Sequence, residues 1–346
     1  MQINLGGYTS LVTLLLNPSK LYINNEMAHN LQMKTLLLCL VTLSCTSMLF
    51  YFGSLPRIEN TADVKHEYLH YILKPVSVDD LYLKRKSHLE RNCPVQHPQL
   101  QKDLLDHILV DKVHKLLYCY VPKVACTNWK RIFMVLSGKS NTTNILSIPA
   151  DAAHDKNLLL RLNSFSDSEV EYMLKTFTKF IFVRHPFERL LSAYRNKLEQ
   201  HYLSSQYFQA RFGRYIIKRY RKHPSEYALL HGDDVTFEEF VAYVTDPQNK
   251  AFNEHWKPIY SLCHPCSIRY DIIGKYETLY QDSDYILTKI GIKNLGFPYT
   301  SKPSKTTVNM HKYYKNLTTE SIWKLYNIYE LDFRLFGYTF HDLTES

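Results

Sequence analysis

Residues 179–192 read KFIFVRHPFERLLS, which predicts a buried strand that runs directly into a helix. Lys179–Val183 has the apolar run of a buried strand, and Pro186 stands where a helix begins. Arg184 therefore follows the carboxyl end of a strand, where ligand sites form in α/β proteins. Ser192 comes eight residues later, so its hydroxyl and the guanidinium can converge on one phosphate. An isolated arginine after a strand is more often an ion-pair partner.

A second strand–turn–helix unit is VPKVACTNWKR, residues 121–131. Backbone N–H groups of its loop can hold a phosphate, while Lys123 reaches the group beyond it. The alternative is a nucleoside-triphosphate P-loop, whose ending the sequence GKS at 138–140 imitates. That motif needs glycine at position 133, where Phe133 stands, and no buried strand leads into it. The triphosphatase interpretation is therefore excluded.

Strands and helices alternate along the rest of the chain. Apolar runs predict strands, and the capping boxes that begin at Ser166 and Thr236 mark the starts of helices. The predicted strands are 116–121, 179–183 and 268–273, and the predicted helices are 127–136, 166–177, 321–336 and those that begin near 186 and 236. This order favours an α/β fold with a parallel sheet flanked by helices.

The composition narrows the functional class. Of 346 residues, 45% are hydrophobic and only ten are glycine, which excludes a disordered or collagen-like chain. The 42 Lys and Arg exceed the 33 Asp and Glu, for a net charge of +9. Such a charge favours anionic partners, which include nucleic acid, a membrane surface, a nucleotide or an acidic polysaccharide.

The amino-terminal part predicts a membrane anchor. Residues 35–52 read TLLLCLVTLSCTSMLFYF, without a charge, which is about the length that spans a bilayer. A cleaved signal peptide and a buried helix are the alternatives, but no cleavage site follows the run and it has no polar face. The expected organisation is a cytoplasmic tail at 1–34, an anchor at 35–52, a luminal stem at 53–105 and a domain at 106–342.

Cysteines and sequons agree with an oxidising lumen. Five cysteines follow the anchor and allow at most two internal bridges: Cys93, Cys119, Cys126, Cys263 and Cys266. Cys263-x-x-Cys266 also looks like half a zinc site, but no second pair has metal spacing, so disulfides are favoured and no metal is expected. Asn141 and Asn316 begin N-x-T sequons and are candidate glycosylation sites.

These motifs together resemble a known family. PKVACTNWKR and RHPFERLLSAYRNK are similar to the two phosphate-binding elements of the Golgi carbohydrate sulfotransferases that act on chondroitin, dermatan and N-acetylgalactosamine-terminated glycans. The resemblance continues through GDDVTFEEFVAY, FNEHW, YSLCHPC and GKYETL and covers roughly residues 106 to 340. Among subfamilies the chain looks most like the chondroitin 4-O-sulfotransferases. A P-loop-like sulfotransferase fold is implied.

The resemblance implies 3′-phosphoadenosine-5′-phosphosulfate (PAPS) as the sulfate donor. Its 5′-phosphosulfate loop would be Pro122, Lys123, Val124, Ala125, Cys126, Thr127 and Asn128. Its 3′-phosphate element would be Arg184, His185, Pro186, Phe187, Glu188, Arg189, Leu190, Leu191 and Ser192. His185 departs from the family, whose members usually carry an acidic residue there. Arg184 and Ser192 are intact, so donor binding is still expected.

Three residues are candidate catalytic groups. Negative charge develops on the sulfonate and on the leaving phosphate, and Lys123 is expected to stabilise the bridging oxygen. The acceptor hydroxyl needs a base of roughly neutral pKa, which suits His255, with Glu254 as the substitute. A purely structural role for both is the alternative.

A basic segment at 211–222 is the candidate acceptor surface. If it is helical, its cations share one face at Arg211, Arg214, Lys218 and Arg221. A solvated helix face is the alternative.

We therefore expect a single-pass type II Golgi membrane protein, a glycoprotein enzyme with its sulfotransferase domain in the lumen and no nucleic-acid partner. The expected acceptor is O4 of N-acetylgalactosamine in chondroitin. Alternatives are dermatan, N-glycan N-acetylgalactosamine or glucuronate O3, and, in another class, a non-catalytic glycosaminoglycan-binding membrane protein.

Overall fold

The computed structural model describes residues 77–96, 100–249, 252–299 and 306–340. The expected cytoplasmic tail, the anchor at 35–52 and the stem up to residue 76 lie outside the described residues. Within those four ranges, every helix is too short or too polar to cross a bilayer.

A four-stranded sheet forms the centre of the domain. Its strands are β1 (Ile108–Asp111), β2 (Leu116–Cys119), β3 (Thr178–Val183) and β4 (Ile272–Lys275), which lie side by side in chain order. β2, β3 and β4 run parallel, as the sequence predicts, but β1 pairs antiparallel with β2. The sheet is therefore mixed rather than purely parallel. The short turn after Asp111, whose carboxylate accepts from the N–H of Val113 at 2.9 Å, folds β1 back along β2.

Fourteen α-helices are described around this sheet. They are α1 (Val78–Asn92), α2 (Cys126–Leu136), α3 (Ala150–His154), α4 (Asp167–Thr176), α5 (Pro186–Tyr194), α6 (Leu203–Phe208), α7 (Arg214–Tyr220), α8 (Glu226–His231), α9 (Phe237–Thr245), α10 (Ile259–Cys263), α11 (Pro265–Ile268), α12 (Leu279–Lys289), α13 (Thr306–Tyr314) and α14 (Thr319–Phe336). The predicted capping boxes are present at Ser166, which begins α4, and at Thr236, which begins α9.

Aromatic side chains fill the core beside the sheet. Tyr118 on β2 stacks on Phe180 of β3 with ring centroids 4.7 Å apart, and Trp129 of α2 contacts the same ring at 4.7 Å. Gly274 of β4 lies directly against Phe182 of β3, and a Cβ at position 274 would be 2.5 Å from that ring. Only glycine fits at position 274, and its lack of a side chain leaves room for the ring of Phe182.

The third predicted strand lies four residues further along the chain. Residues 265–268 form the short helix α11 instead, because Pro265 favours a first helical position and Arg269 ends the turn with φ 56°. Extended backbone starts only at Ile272. The strand pairs in parallel with β3.

The second half of the predicted stem belongs to the domain. α1 packs on β4 and α14, and the hydroxyl of Tyr82 donates to Asp282 at 2.8 Å. Arg85 forms an ion pair with the same carboxylate at 2.7 Å. These polar contacts join α1 to residues about 200 positions away. Such contacts leave little apolar periodicity in the sequence of α1 from which the docking could have been predicted. The domain thus begins near residue 77 rather than 106.

Two disulfides join distant segments, and disulfide use of Cys263 and Cys266 is confirmed. Cys93 is bonded to Cys266 and Cys119 to Cys263, across 173 and 144 positions. Cys126, the fifth cysteine, is a buried thiol.

Candidate functional site

A cleft of about 1970 Å³ opens beyond the carboxyl ends of the three parallel strands. Its walls come from the segments that follow β2, β3 and β4, together with α3 and the FNEHW segment. Six of the seven residues predicted in the loop at 122–128 line the cleft: Pro122, Lys123, Ala125, Cys126, Thr127 and Asn128. Val124 is fully buried and does not contact the cleft.

The first loop is shaped by two left-handed residues. Lys123 has φ 71° and Ala125 has φ 55°, and Ala125 directly precedes the first turn of α2. The first N–H groups of a helix have no intrahelical acceptor and carry its positive end. α2 therefore presents its amino terminus, with Cys126 and Thr127, to the cleft. This arrangement is suited to a phosphate.

Lys123 projects into the cleft and is held by one neutral partner. Its Nζ donates to Oδ1 of Asn196 at 3.0 Å. Burial lowers the pKa of its ammonium to about 8, and the positive charge of Lys197 adds to the effect. The group is thus a half-buried cation without an acidic partner among the described residues. An anionic ligand would stabilise its charge.

Arg184 joins the two strand–turn–helix units. It is 1% exposed, its Nε donates to Glu188 at 3.1 Å and its Nη1 donates to the carbonyl of Lys123 at 3.3 Å. The guanidinium lies 4.0 Å from the ring centroid of Tyr276. Its Nη2 is buried and has no hydrogen-bond partner in the described part of the chain. An unpaired buried donor of this kind is costly, which points to an anion as its natural partner.

Only one face of the second unit reaches the cleft. Arg184, Glu188 and Ser192 line it, as the four-residue spacing of a helix dictates. The remaining predicted residues point elsewhere, because the opposite face of α5 packs into the core: His185, Pro186, Phe187, Arg189, Leu190 and Leu191 are all buried and none lines the cleft. Three of the nine predicted residues of this unit therefore line the cleft.

Arg189 connects the loop after β2 to the FNEHW segment. It is 1% exposed and donates to three backbone carbonyls, those of Pro122 at 3.0 Å, Lys257 at 2.7 Å and Glu254 at 2.9 Å. It thereby fixes the distance between the loop that carries Lys123 and the segment that carries the predicted base.

His255 lines the cleft in its neutral form. Its Nδ1 is 2.7 Å from Oδ1 of Asn253, an oxygen that only accepts, so Nδ1 carries the proton and Nε2 keeps the lone pair. Burial lowers the pKa of His255 to about 3, and the nearby charge of Lys197 contributes. At neutral pH the ring is available to accept a proton.

Glu254 is held by a histidine that sequence reasoning missed. Nε2 of His107 is 3.1 Å from Glu254 and Nδ1 is 2.8 Å from Asp106. Burial raises the pKa of Glu254, but the His107 hydrogen bond and the nearby positive charges outweigh it and lower the pKa to about 2. Burial likewise lowers the pKa of His107, yet its two carboxylate partners leave that pKa above the ordinary value.

These opposed shifts predict a pH-dependent contribution to stability. A lowered carboxylate pKa stabilises the fold above about pH 4.3, and a raised histidine pKa stabilises it below about pH 6.5, so the pair contributes fully between those values. We expect His107→Gln to lower the melting temperature most between about pH 5 and 6.5 and less at pH 8. Thermal unfolding across pH measures this. A deficit that grows as the pH rises would contradict the ion pair.

Other cleft residues were not predicted. Asn196 continues the spacing of 184, 188 and 192 by another four residues, a signal that could have identified it. His154 lies 3.0 Å from the hydroxyl of Thr127, and burial, helped by the charge of Lys130, lowers its pKa to about 4. No local pattern marks His154, since it comes from α3.

The predicted acceptor face is not a single helical face. Residues 209–213 form one wide helical turn, α7 ends at Tyr220, and Arg221 has an extended conformation. Arg221 forms ion pairs with Asp234 at 2.8 Å and Glu239 at 2.7 Å, so it is a structural residue. Exposed cations at Arg211, Arg214 and Lys218 are left, and they lie outside the cleft.

Comparisons with known proteins agree with this site. The family model described as "Sulfotransferase family" matches residues 106–339. The chain is 51% identical over 240 residues to carbohydrate sulfotransferase 11 of Rattus norvegicus, covering 68% of each chain. It is 42% identical over 262 residues to carbohydrate sulfotransferase 14 of Danio rerio, covering 74% of this chain and 69% of that one.

Carbohydrate sulfotransferase 10 of Homo sapiens is 39% identical over 256 residues, with 70% of each chain covered. No solved structure matches the chain. The family match takes in both strand–turn–helix units and the FNEHW segment between residues 252 and 256. The protein is a member of the sulfotransferase family.

Proposed function

We propose that this enzyme transfers the sulfuryl group of PAPS to a glycan hydroxyl, O4 of N-acetylgalactosamine in chondroitin. The observation that carries the proposal is the meeting of the two units in one cleft, where Nη1 of Arg184 donates to the carbonyl of Lys123 at 3.3 Å. The acceptor is supported by the 51% identity to carbohydrate sulfotransferase 11 and by the sequence resemblance to chondroitin 4-O-sulfotransferases.

The residues present fit the donor. The unpaired buried Nη2 of Arg184, with Ser192 on the same helix face, suits the 3′-phosphate. The amino terminus of α2 and Lys123 suit the 5′-phosphosulfate. When bound, PAPS supplies a sulfuryl group that is already activated by a phosphate leaving group.

The chain's own residues then provide positioning and charge. Lys123 places an ammonium where it can stabilise negative charge that develops on the leaving oxygen. His255 offers the Nε2 lone pair to the acceptor hydroxyl, and Asn253 holds the ring in that tautomer. Arg189 keeps both groups at a fixed separation through its three carbonyl contacts. Anions that neutralise Lys123 would raise the pKa of His255 and make it a stronger base.

The acceptor chain would extend over exposed cations outside the cleft. Arg211, Arg214 and Lys218 are exposed, and the guanidinium of Arg211 donates to the hydroxyl of Tyr207 at 2.7 Å. A cationic surface with aromatic rings suits an acidic polysaccharide. Arg221 is left out of this surface because its acidic partners already neutralise it.

We also propose the Golgi lumen as the compartment and a single-pass type II topology. Two disulfides support an oxidising environment, since such bonds are rare in the cytosol. Asn141 and Asn316 are both exposed, as glycosylation requires.

A donor-binding measurement tests the role of Arg184. The wild-type protein is expected to be retained on immobilised adenosine 3′,5′-bisphosphate, and Arg184→Ala to weaken that binding by about tenfold or more, because a charge-assisted hydrogen bond is lost. Arg214→Ala, an exposed arginine outside the cleft, is the control and should be retained. Equal retention of the two variants would remove Arg184 from the donor site, and a wild-type protein that does not bind would favour a non-catalytic glycosaminoglycan-binding protein.

The acceptor is tested by transfer of labelled sulfate from PAPS to a panel of desulfated polysaccharides, followed by disaccharide analysis. We expect label on O4 of N-acetylgalactosamine from chondroitin. Preferred labelling of dermatan, of terminal N-acetylgalactosamine on N-glycans or of glucuronate O3 would replace that acceptor.

A further inference from the structure

Lys197 is a cleft cation that the reaction described above does not use. It lies in the wide turn Arg195–Glu199, which follows α5, and it lines the cleft. Its neighbour Arg195 forms an ion pair with Glu199 at 3.2 Å. Lys197 has no carboxylate within ion-pair distance among the described residues, and burial lowers its pKa. The carboxylate of Glu254 favours its charged form from beyond ion-pair distance, so a ligand that brings an anion into direct contact is the natural partner of this half-buried ammonium.

Its position is beside the proposed base. The ammonium lies 4.4 Å from the ring centroid of Phe208, and the same ring contacts the edge of His255 at a centroid distance of 5.0 Å. Tyr202 and Leu203, which are exposed, also line the cleft. Lys197 therefore faces the region where an acceptor must place its hydroxyl.

The anions of the donor already have partners on other elements. Arg184 and Ser192 suit one phosphate, and Lys123 with the amino terminus of α2 suits the other. The acceptor proposed above is a polymer in which a uronic acid stands next to each hexosamine. Its carboxylate is the anion that would come nearest to a cation beside the base.

We propose that Lys197 binds the uronate carboxylate of the acceptor and so makes the enzyme select acidic over neutral glycans. This inference rests on the proposed function and adds a specificity residue to it. Lys197 acts on acceptor affinity, whereas Lys123 and His255 act on the chemical step.

The test compares chondroitin with carboxyl-reduced chondroitin, in which each uronic acid has become a neutral hexose. For the wild-type enzyme we expect the KM for the reduced polymer to be roughly tenfold higher. Lys197→Gln should raise the KM for chondroitin by about the same factor, leave the KM for the reduced polymer unchanged and leave retention on adenosine 3′,5′-bisphosphate intact. Lys197→Arg should restore acceptor affinity, because it keeps the charge.

The control is Lys175→Gln, an exposed lysine on α4 outside the cleft. Its kinetic constants should equal those of the wild type. The inference is overturned if Lys197→Gln raises the KM of both polymers equally, or if it weakens PAPS and adenosine bisphosphate binding instead, which would assign the ammonium to the donor. A wild-type enzyme that binds donor but sulfates neither polymer would overturn the proposed acceptor, and the carboxylate assignment with it.

Discussion

Lys123→Ala is expected to lower kcat about 10²–10³-fold, the range seen when one preorganised stabiliser of developing charge is removed. The reason is the position of its ammonium: it lies in the cleft, is held by Asn196 at 3.0 Å, and has no acid among the described residues to neutralise it. Alanine is as compatible as lysine with the local φ of 71°, so the loop backbone is not newly strained. The expected decrease in kcat therefore reflects the missing ammonium and not a change in the loop backbone.

Labelled-sulfate turnover at saturating donor and acceptor measures this prediction. Lys139→Ala is the matched control, since Lys139 is exposed and belongs to the GKS sequence that imitates a P-loop. Its kcat should be that of the wild type. The assignment of Lys123 would fail if its alanine variant kept kcat within a few fold, or if Lys139→Ala carried the larger loss.

His255→Ala is expected to lower turnover by about 10²–10⁴-fold while donor binding is preserved, as for removal of a general base. The neutral ring, with its proton fixed on Nδ1 by Asn253, has the protonation state that a base needs. Since the pKa of His255 is lowered to about 3, the group stays neutral at any pH above about 4 in the donor-free protein. The acidic limb of kcat/KM from this group should therefore lie below about pH 4.

Two measurements on His255→Ala distinguish a loss of turnover from a loss of donor binding: labelled-sulfate turnover and retention on adenosine 3′,5′-bisphosphate. His223→Ala, an exposed histidine away from the cleft, serves as the control. Glu254→Gln should cost less than His255→Ala, because the carboxylate is already held by His107 at 3.1 Å and its pKa of about 2 makes it a weaker base. The reverse order of the two losses would make Glu254 the base, and near-normal turnover of both variants would give them structural roles.

Much of the local structure follows from neighbouring residues alone. The apolar run before Arg184, the proline at the start of α5 and the capping boxes at Ser166 and Thr236 each act within a few positions, so their elements are readable from the sequence. The same locality explains why the two strand–turn–helix units could be predicted. It also explains why nine consecutive residues were assigned to the second unit although only three of them line the cleft, since the sequence does not say which helix face meets the cleft.

Contacts between distant segments were not readable in this way. The predicted acceptor face does not include Arg221, because that residue forms ion pairs with Asp234 and Glu239, which follow α8 in the chain. The docking of α1 likewise depends on Asp282, and that carboxylate lies 200 positions from Tyr82. No periodic pattern encodes such a pair.

From the sequence alone, the three parallel strands, the two strand–turn–helix units and the resemblance to the family could be predicted, because propensity, periodicity and capping are properties of adjacent residues. The tertiary structure alone decided the antiparallel edge strand, the pairing of the cysteines, the bond from His107 to Glu254 across 147 positions and the bridge that Arg189 makes between loop and base segment. These features arise only when the whole chain packs around one sheet, since each depends on groups that folding brings together from far apart.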